Sequence, residues 1–305
     1  MIDAFVLDKG LKKSKILRTR SPVWVDVSDP SKQDMEKLRQ AFPLHQLTLE
    51  DMSKTGNRVK IEHFDEYLFL VLYGIEKESP YQMNFALGRN FLVTAHKRSI
   101  SSFEVLKADK SGLERLFRKG LDLLMHHLID TEIDDYFPVL EKIEGQIDAV
   151  EEDVYKSFDH KALGRLFRLK RQLLTLRRQA SPQRDVMMML SHKVSPFISE
   201  PATAYYRDIY DHIIRINESI DDYREVLSNT LEVHISMVSN RMNEVMKALT
   251  IVATIMMPLT LLTGIYGMNL TIPESHFEDM YHIVLLMMFL IAGVMLMYFW
   301  RKQWI

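Results

Sequence analysis

No cysteine occurs in the 305 residues of this chain. That absence excludes disulfide staples, Cys-ligated zinc and thiol nucleophiles. Glycine and proline are sparse, at 11 and 10 residues, and neither occurs from Ala202 to Met257. So long a stretch without a helix breaker points to one continuous helix. Charge is missing from two runs. Ala248–Pro273 has no charged side chain, and Tyr281–Trp300 has none apart from the ionisable His282. A helix needs roughly 20 apolar residues to cross a bilayer core, so each run is long enough to be a membrane span. Enzyme signatures are also lacking: there is no Gly-rich phosphate loop with Lys, no His-Glu-x-x-His and no Gly-x-Ser-x-Gly. A formal charge of −2 argues against nucleic acid as a partner. Met1–Arg20 is basic but has no apolar core of about 7–15 residues, so no secretory signal is expected.

What is present divides the chain. The 26% charged content lies almost entirely before residue 248, and the first hundred or so residues read as α/β. Val23–Val27 is a strand. Asp29 or Ser31 can cap a helix running to about Phe42, and Glu66–Tyr73 and Asn90–Ala95 are β-rich runs. Helical periodicity takes over near Ser101. An amphipathic helix over about Leu121–Ser157 ends acidic, with Glu144, Asp148, Glu151, Glu152 and Asp153. A second, over Lys161–Lys193, is basic, with Arg165, Arg168, Lys170, Arg171, Arg177 and Arg178. The two pair as an antiparallel hairpin, and their charges read first as a solvated surface. Apolar residues then recur at 3–4 spacing, Ile209, Ile213, Ile216, Ile220, Tyr223, Leu227 and Leu231, so the long helix needs neighbours to bury its stripe. Arg241 and Lys247 precede the first span, Arg301 and Lys302 follow the second, and the loop between carries Glu274, Glu278 and Asp279 without Lys or Arg. Positive-inside logic then places both termini in the cytoplasm.

Tyr266-Gly267-Met268-Asn269 closes a Pro-containing apolar helix and is followed by a second apolar helix and a basic aromatic tail. In this setting the motif resembles the CorA family of magnesium channels. Further similarity lies in Tyr205–His212 (Tyr-Tyr-Arg-Asp-Ile-Tyr-Asp-His), Val238–Lys247, Met257–Thr260 and His45–Asp51. The loop departs from the usual family pattern, with Ile272-Pro273-Glu274-Ser275 for Met-Pro-Glu-Leu. The resemblance implies an α/β N-terminal cytoplasmic domain, a long helical stalk and two transmembrane helices in a funnel-shaped homo-oligomer, a pentamer in the family. The expected segments are a 1–120 α/β domain, a 121–200 helical hairpin, a 201–248 stalk, a 249–267 pore-lining span, a 268–280 extracellular loop, a 281–300 second span and a 301–305 tail. It also implies Mg²⁺ influx across the inner or plasma membrane, gated by cytosolic Mg²⁺, with lipid and divalent cations as partners. Co²⁺, Ni²⁺ or Zn²⁺ transport and a membrane-anchored coiled scaffold are the alternatives.

Asn243, Met246, Leu249, Ala253, Met257, Thr260 and Gly264 follow one another at steps of 3 or 4 and share one helix face. Periodicity alone reads this face as ordinary helix packing; the resemblance assigns it to the pore, where rings of Met246, Leu249 and Met257 close by dewetting. Pro258 is either a tolerated kink or a bend point. At the outer end a filter of Gly267, Met268 and Asn269 offers oxygens to a hydrated Mg²⁺, which sheds water reluctantly. Carboxylates there would bind more tightly and slow release. Glu274, Glu278 and Asp279 concentrate cations at the mouth. The family's regulatory inter-subunit Mg²⁺ sites map onto Asp208 and, by a poorer alignment, Glu78; Glu78 read alone is equally a solvated loop acid. His212 reads as a packed or hydrogen-bonded histidine, and His126-His127 make a poor metal pair.

Overall fold

The computed structural model describes residues 2–8, 10–14, 17, 21–156, 160–192, 195–268 and 279–304. Two compact units divide the chain, Met1–Asn229 and Thr230–Ile305. The division falls inside the longest helix.

The first unit is built on seven strands: β1 (Ile2–Leu7), β2 (Leu11–Ser14), β3 (Val23–Ser28), β4 (Lys60–His63), β5 (Tyr67–Glu76), β6 (Ser79–Gly88) and β7 (Phe91–His96). Their order is β2-β1-β3-β7-β6-β5-β4. Among the described residues only β3 and β7 pair in parallel, with Trp24 opposite Leu92 and Asp26 opposite Thr94. β5 is buried from Tyr67 to Ile75 without alternation, as expected of a strand covered on both faces. One cover consists of α1 (Lys32–Ala41) and α2 (Gln46–Ser53), whose Met35, Leu38, Leu49 and Met52 pack on Val25, Phe69 and Val93. Ser31 starts α1 through a capping box with Asp34. The other cover begins with α3 (Ser101–Ala108), where Phe103 stands edge-on to Trp24 and Phe85.

After α4 (Lys110–Lys119) come α5 (Leu121–Asp134), α6 (Tyr136–Lys156), α7 (His160–Ser191) and α8 (Glu200–Tyr266). The amphipathic segment expected over Leu121–Ser157 is thus two helices, broken at Asp135. The break lets Tyr136 bury its ring and donate its hydroxyl to the Tyr73 carbonyl at 3.1 Å. Antiparallel pairing of α7 with α8 is set by Arg177–Asp221 (2.9 Å) and Lys170–Ser228 (3.2 Å). Ala202, Tyr206, Ile209, Ile213, Ile216, Ile220 and Leu227 form the buried stripe of α8 within this unit. Asp122 anchors its start, accepting from Ser199 N and, through its carbonyl, from the Tyr206 hydroxyl, both at 2.9 Å.

The second unit comprises the C-terminal part of α8 and α9 (Met280–Arg301). Both carry an apolar stretch long enough to cross a membrane, and almost none of it is buried within the protein. Met257, Leu261, Leu286 and Phe289 are each more than 60% exposed. Such apolar area is stable only against lipid or other protein surfaces.

Candidate ion pathway and cation cluster

α8 runs for 67 residues, about 100 Å at ~1.5 Å per residue. It continues through Pro258, since the missing donor costs one ladder bond and the flanking turns hold. Asn243, Met246, Leu249, Ala253, Met257, Thr260 and Gly264 are all exposed on this helix. Met257, Thr260 and Gly264 line one groove together with Met256, Leu261 and Met268; Gly264 leaves its notch open, with nothing near the place of a Cβ. Asn243 and Met246 line a second groove with Lys247, Thr250 and Trp304. Trp304 is held there by stacking on Phe299 at 5.7 Å and donating its backbone N–H to the Phe299 carbonyl at 3.1 Å. The tail after α9 therefore lies beside the stretch of α8 that precedes its apolar run.

At the other end of that run the helix stops at Gly267. Its N–H donates to the Thr263 carbonyl at 2.8 Å, and a Cβ on Gly267 would lie 2.7 Å from that same oxygen. Close approach, rather than a left-handed backbone, requires glycine here. Met268 follows, 51% exposed. Asn269, Glu274 and Glu278 lie outside the described residues, and Asp279 opens α9 as its N-cap position.

In the first unit α5 and α8 bring together acids that are far apart in sequence. The ligand atoms of Asp130, Asp134 and His212 lie within 4.8 Å of one another, with His212 Nδ1 3.0 Å from Asp134 Oδ1. Asp130 Oδ1 is buried without a hydrogen-bond partner among the described residues. Burial, then the charges of Asp134 and Asp208, push the Asp130 carboxyl above its ordinary range, while His212 and His127 pull it down. Asp208 is exposed, one turn before His212 on α8. Two carboxylates and an imidazole at this spacing can hold a divalent cation, whose charge would offset the burial and the neighbouring negative charge that raise Asp130. His212 also packs edge-on to Phe137 at 5.6 Å, so it is packed and cluster-facing at once. Sequence reading missed Asp130 and Asp134. The available signal was their i, i+4 spacing, which matches Asp208 and His212 on the partner helix.

Glu78 lies elsewhere. It sits in the β5–β6 turn with φ 71°, paired to Lys142 Nζ at 2.6 Å and accepting from Gln172 Nε2 at 3.0 Å. Within one chain it is committed to α6 and α7. His126 is a core residue: its ring meets Tyr205 and Tyr206 edge-on, and burial lowers its basicity.

An α/β unit carrying a helical bundle, on a chain with two helices long and apolar enough to cross a membrane, defines the architecture of a membrane-spanning protein. The chain belongs to the CorA-like Mg²⁺ transporter family, whose model matches residues 20–302. It is 36% identical over 299 residues to the cobalt/magnesium transport protein CorA of Thermotoga maritima, covering 93% of this chain and 84% of that one. The solved CorA magnesium transporter of Methanocaldococcus jannaschii superposes with a TM-score of 0.89 at 21% identity, over 100% of this chain and 99% of that one. The ZntB cytoplasmic domain of Vibrio parahaemolyticus matches with a TM-score of 0.66 at 15% identity, over 78% of this chain and 98% of that domain. These two structural likenesses show the fold.

Proposed function

We propose that this protein conducts Mg²⁺, with Co²⁺ as a secondary ion, across a cell membrane through a pore formed by copies of α8. The observation that carries this is the exposed α8 stripe from Asn243 to Gly264, ending at Gly267-Met268-Asn269 in a chain of this family. A polar ring of Asn243, apolar rings of Met246, Leu249 and Met257, and the Thr260 hydroxyl would form the conduit. The apolar rings are the barrier, since a narrow apolar constriction dewets. At the outer mouth, Asn269 carboxamide oxygens and Gly267 carbonyls accept from the water shell of a hydrated ion, and Glu274, Glu278 and Asp279 raise its local concentration. Both termini are cytoplasmic. The support is Arg241, Lys247, Arg301 and Lys302 flanking the spans, and Trp304 returning to the groove beside Lys247.

Cytosolic Mg²⁺ regulates the pore through Asp208, to which the cluster of Asp130, Asp134 and His212 adds the missing donors. Glu78 joins from a neighbouring copy after exchanging Lys142 for metal. The carboxylates in the set suit Mg²⁺, and the imidazole suits Co²⁺ and Ni²⁺ better than Mg²⁺. Ion flux into proteoliposomes tests the reading. Wild-type protein should pass Mg²⁺, and Asn269→Ala should lose uptake while inserting and assembling normally. Undiminished uptake by Asn269→Ala would remove the filter assignment, and competition with Co²⁺, Ni²⁺ and Zn²⁺ ranks the ions.

A further inference from the structure

α7 carries a basic stripe on its outer face. Arg168, Arg171 and Arg178 are all exposed there, interleaved with Phe167 (52% exposed) and Leu174 (40%). The other α7 arginines have carboxylate partners: Arg165 pairs with Asp153, Arg177 with Asp221 and Arg184 with Asp185. Arg168, Arg171 and Arg178 have no ion pair among the described residues. Arginine beside exposed aromatic and aliphatic side chains is the composition of a protein interface core. Arg168 and Arg171 also line a concave pocket with Phe167, Gln172 and the Glu78–Pro80 turn.

A stripe of opposite sign runs along α8 within the same unit. Asp208, Asp211, Glu218, Asp222 and Glu225 are exposed at steps that keep them on one face, interrupted only by Arg215. Asp211, Glu218, Asp222 and Glu225 likewise have no ion pair among the described residues, whereas Asp221, on the flank facing α7, has Arg177 and Arg224. Arg171 and Arg178 are seven residues apart, as are Glu218 and Glu225, so both charge ladders repeat about every 10.5 Å. One chain does not fold these stripes onto each other.

We infer that the α7 basic stripe of one copy docks on the α8 acidic stripe of the next. Two unlike, mutually complementary faces on one chain make a head-to-tail contact, and such a contact closes into a ring when its rotation allows. Exposed single ion pairs contribute little, but a ladder of them fixes orientation and rejects like-charge registers. The inference rests on the proposed self-assembly around α8 and adds which surfaces meet.

The test uses the full chain in detergent micelles. Its mass is measured by light scattering across dilution and NaCl series, with far-UV circular dichroism as the check on folding. Wild type should be oligomeric and loosen with salt. Arg168→Glu, Arg171→Glu and Arg178→Glu together should weaken assembly on the order of 10²-fold, and so should Glu218→Lys, Asp222→Lys and Glu225→Lys together. Combining all six should restore it, because every pair is again opposite. Because the native chain has no cysteine, cross-linking supplies an independent arm. Arg171→Cys combined in one chain with a cysteine at Asp211, Glu218, Asp222 or Glu225 should, at the position in register, oxidise to a ladder of linked copies. A wild-type oligomer indifferent to either reversal would overturn the inference and leave self-assembly standing. So would reversals that dissociate the oligomer without rescue by the sixfold variant and without any cross-link. A monomeric wild type would overturn both readings.

Discussion

Asp26 shows how a single buried acid ties the first unit together. Its side chain is fully buried, with Lys107 Nζ at 2.6 Å, His96 Nε2 at 2.9 Å and the Thr94 hydroxyl donating at 2.5 Å. Burial by itself would raise this carboxyl, but the hydrogen bond and charge of His96, with the charge of Lys107, outweigh it and hold the group below its ordinary value of 3.8. A carboxyl lowered on folding stabilises above its unfolded pKa, and that stability is lost as pH falls through the folded value. Asp26→Asn should therefore cost roughly 3 kcal/mol at neutral pH, because Lys107 loses its only fully buried counter-charge among the described residues and keeps Glu104 at 2.7 Å and Asp3 at 3.7 Å. The variant should also lose the steepest part of the acid limb below about pH 4. Urea melts at pH 7, 5 and 3 check this; parallel curves for wild type and variant would show that Asp26 is not the titrating group. Gly267 has a narrower role. With the Thr263 carbonyl 2.7 Å from any added Cβ, Gly267→Ala must shift the helix end, and Mg²⁺ flux should fall several-fold at unchanged expression. Undiminished flux would separate the filter from this turn.

Among the elements, α8 alone belongs to both units, and its two parts face different surroundings. Up to Asn229 its apolar stripe is buried by its own chain; past Thr230 most side chains are exposed, with His234 and Ile251 the buried exceptions. If the exposed stripe is the proposed barrier, widening it should hydrate it. Met246→Gly or Leu249→Gly should raise Mg²⁺ or Co²⁺ leak at high internal Mg²⁺ by tenfold or more. Each glycine also weakens the helix by about 1 kcal/mol, so Met246→Ala and Leu249→Ala are the matched controls for packing. Leak no greater than wild type in both glycine variants would place these residues between helices. α7 tolerates Pro182 in its interior, where Gln183 turns its side chain to accept from Tyr73 N at 3.0 Å, tying the helix to the sheet.

For the assembled protein, the proposed regulation requires that Mg²⁺ stabilise the closed ring. A cation binding one conformation better shifts the population towards it by mass action. Burial, then the charges of Asp134 and Asp208, raise the Asp130 carboxyl, so a cation bound in the α5–α8 cluster would favour its charged form. Limited proteolysis across a Mg²⁺ titration should show protection in wild type and a weaker, right-shifted response in Asp208→Ala and Asp130→Asn. Asp208→Lys should be protected without Mg²⁺, since its ammonium replaces the missing positive charge. Identical curves for all these proteins would take the cluster out of the sensor while leaving the pore reading untouched.

Local signals made much of the fold legible. Val23–Val27 and the Ser31 cap depend on neighbours a few residues away, and both spans follow from the length of charge-free runs, because a bilayer imposes that length on any helix crossing it. Strand β6 escaped sequence reading because its hairpin with β5 turns through Lys77 and Glu78, both at positive φ, without the Asn-Gly or Asp-Gly that announces such a turn. β1 and β2 lay hidden in a segment notable only for its basic charge. That Asn243, Met246, Leu249, Ala253, Met257, Thr260 and Gly264 share one exposed face was legible because they lie on one helix. The Asp130–Asp134–His212 cluster was not, since Asp134 and His212 are 78 residues apart (212 − 134) and meet only when Asp122 pins the start of α8 to α5. Periodicity specifies which face an element presents. Which faces meet depends on long-range packing that no local pattern encodes.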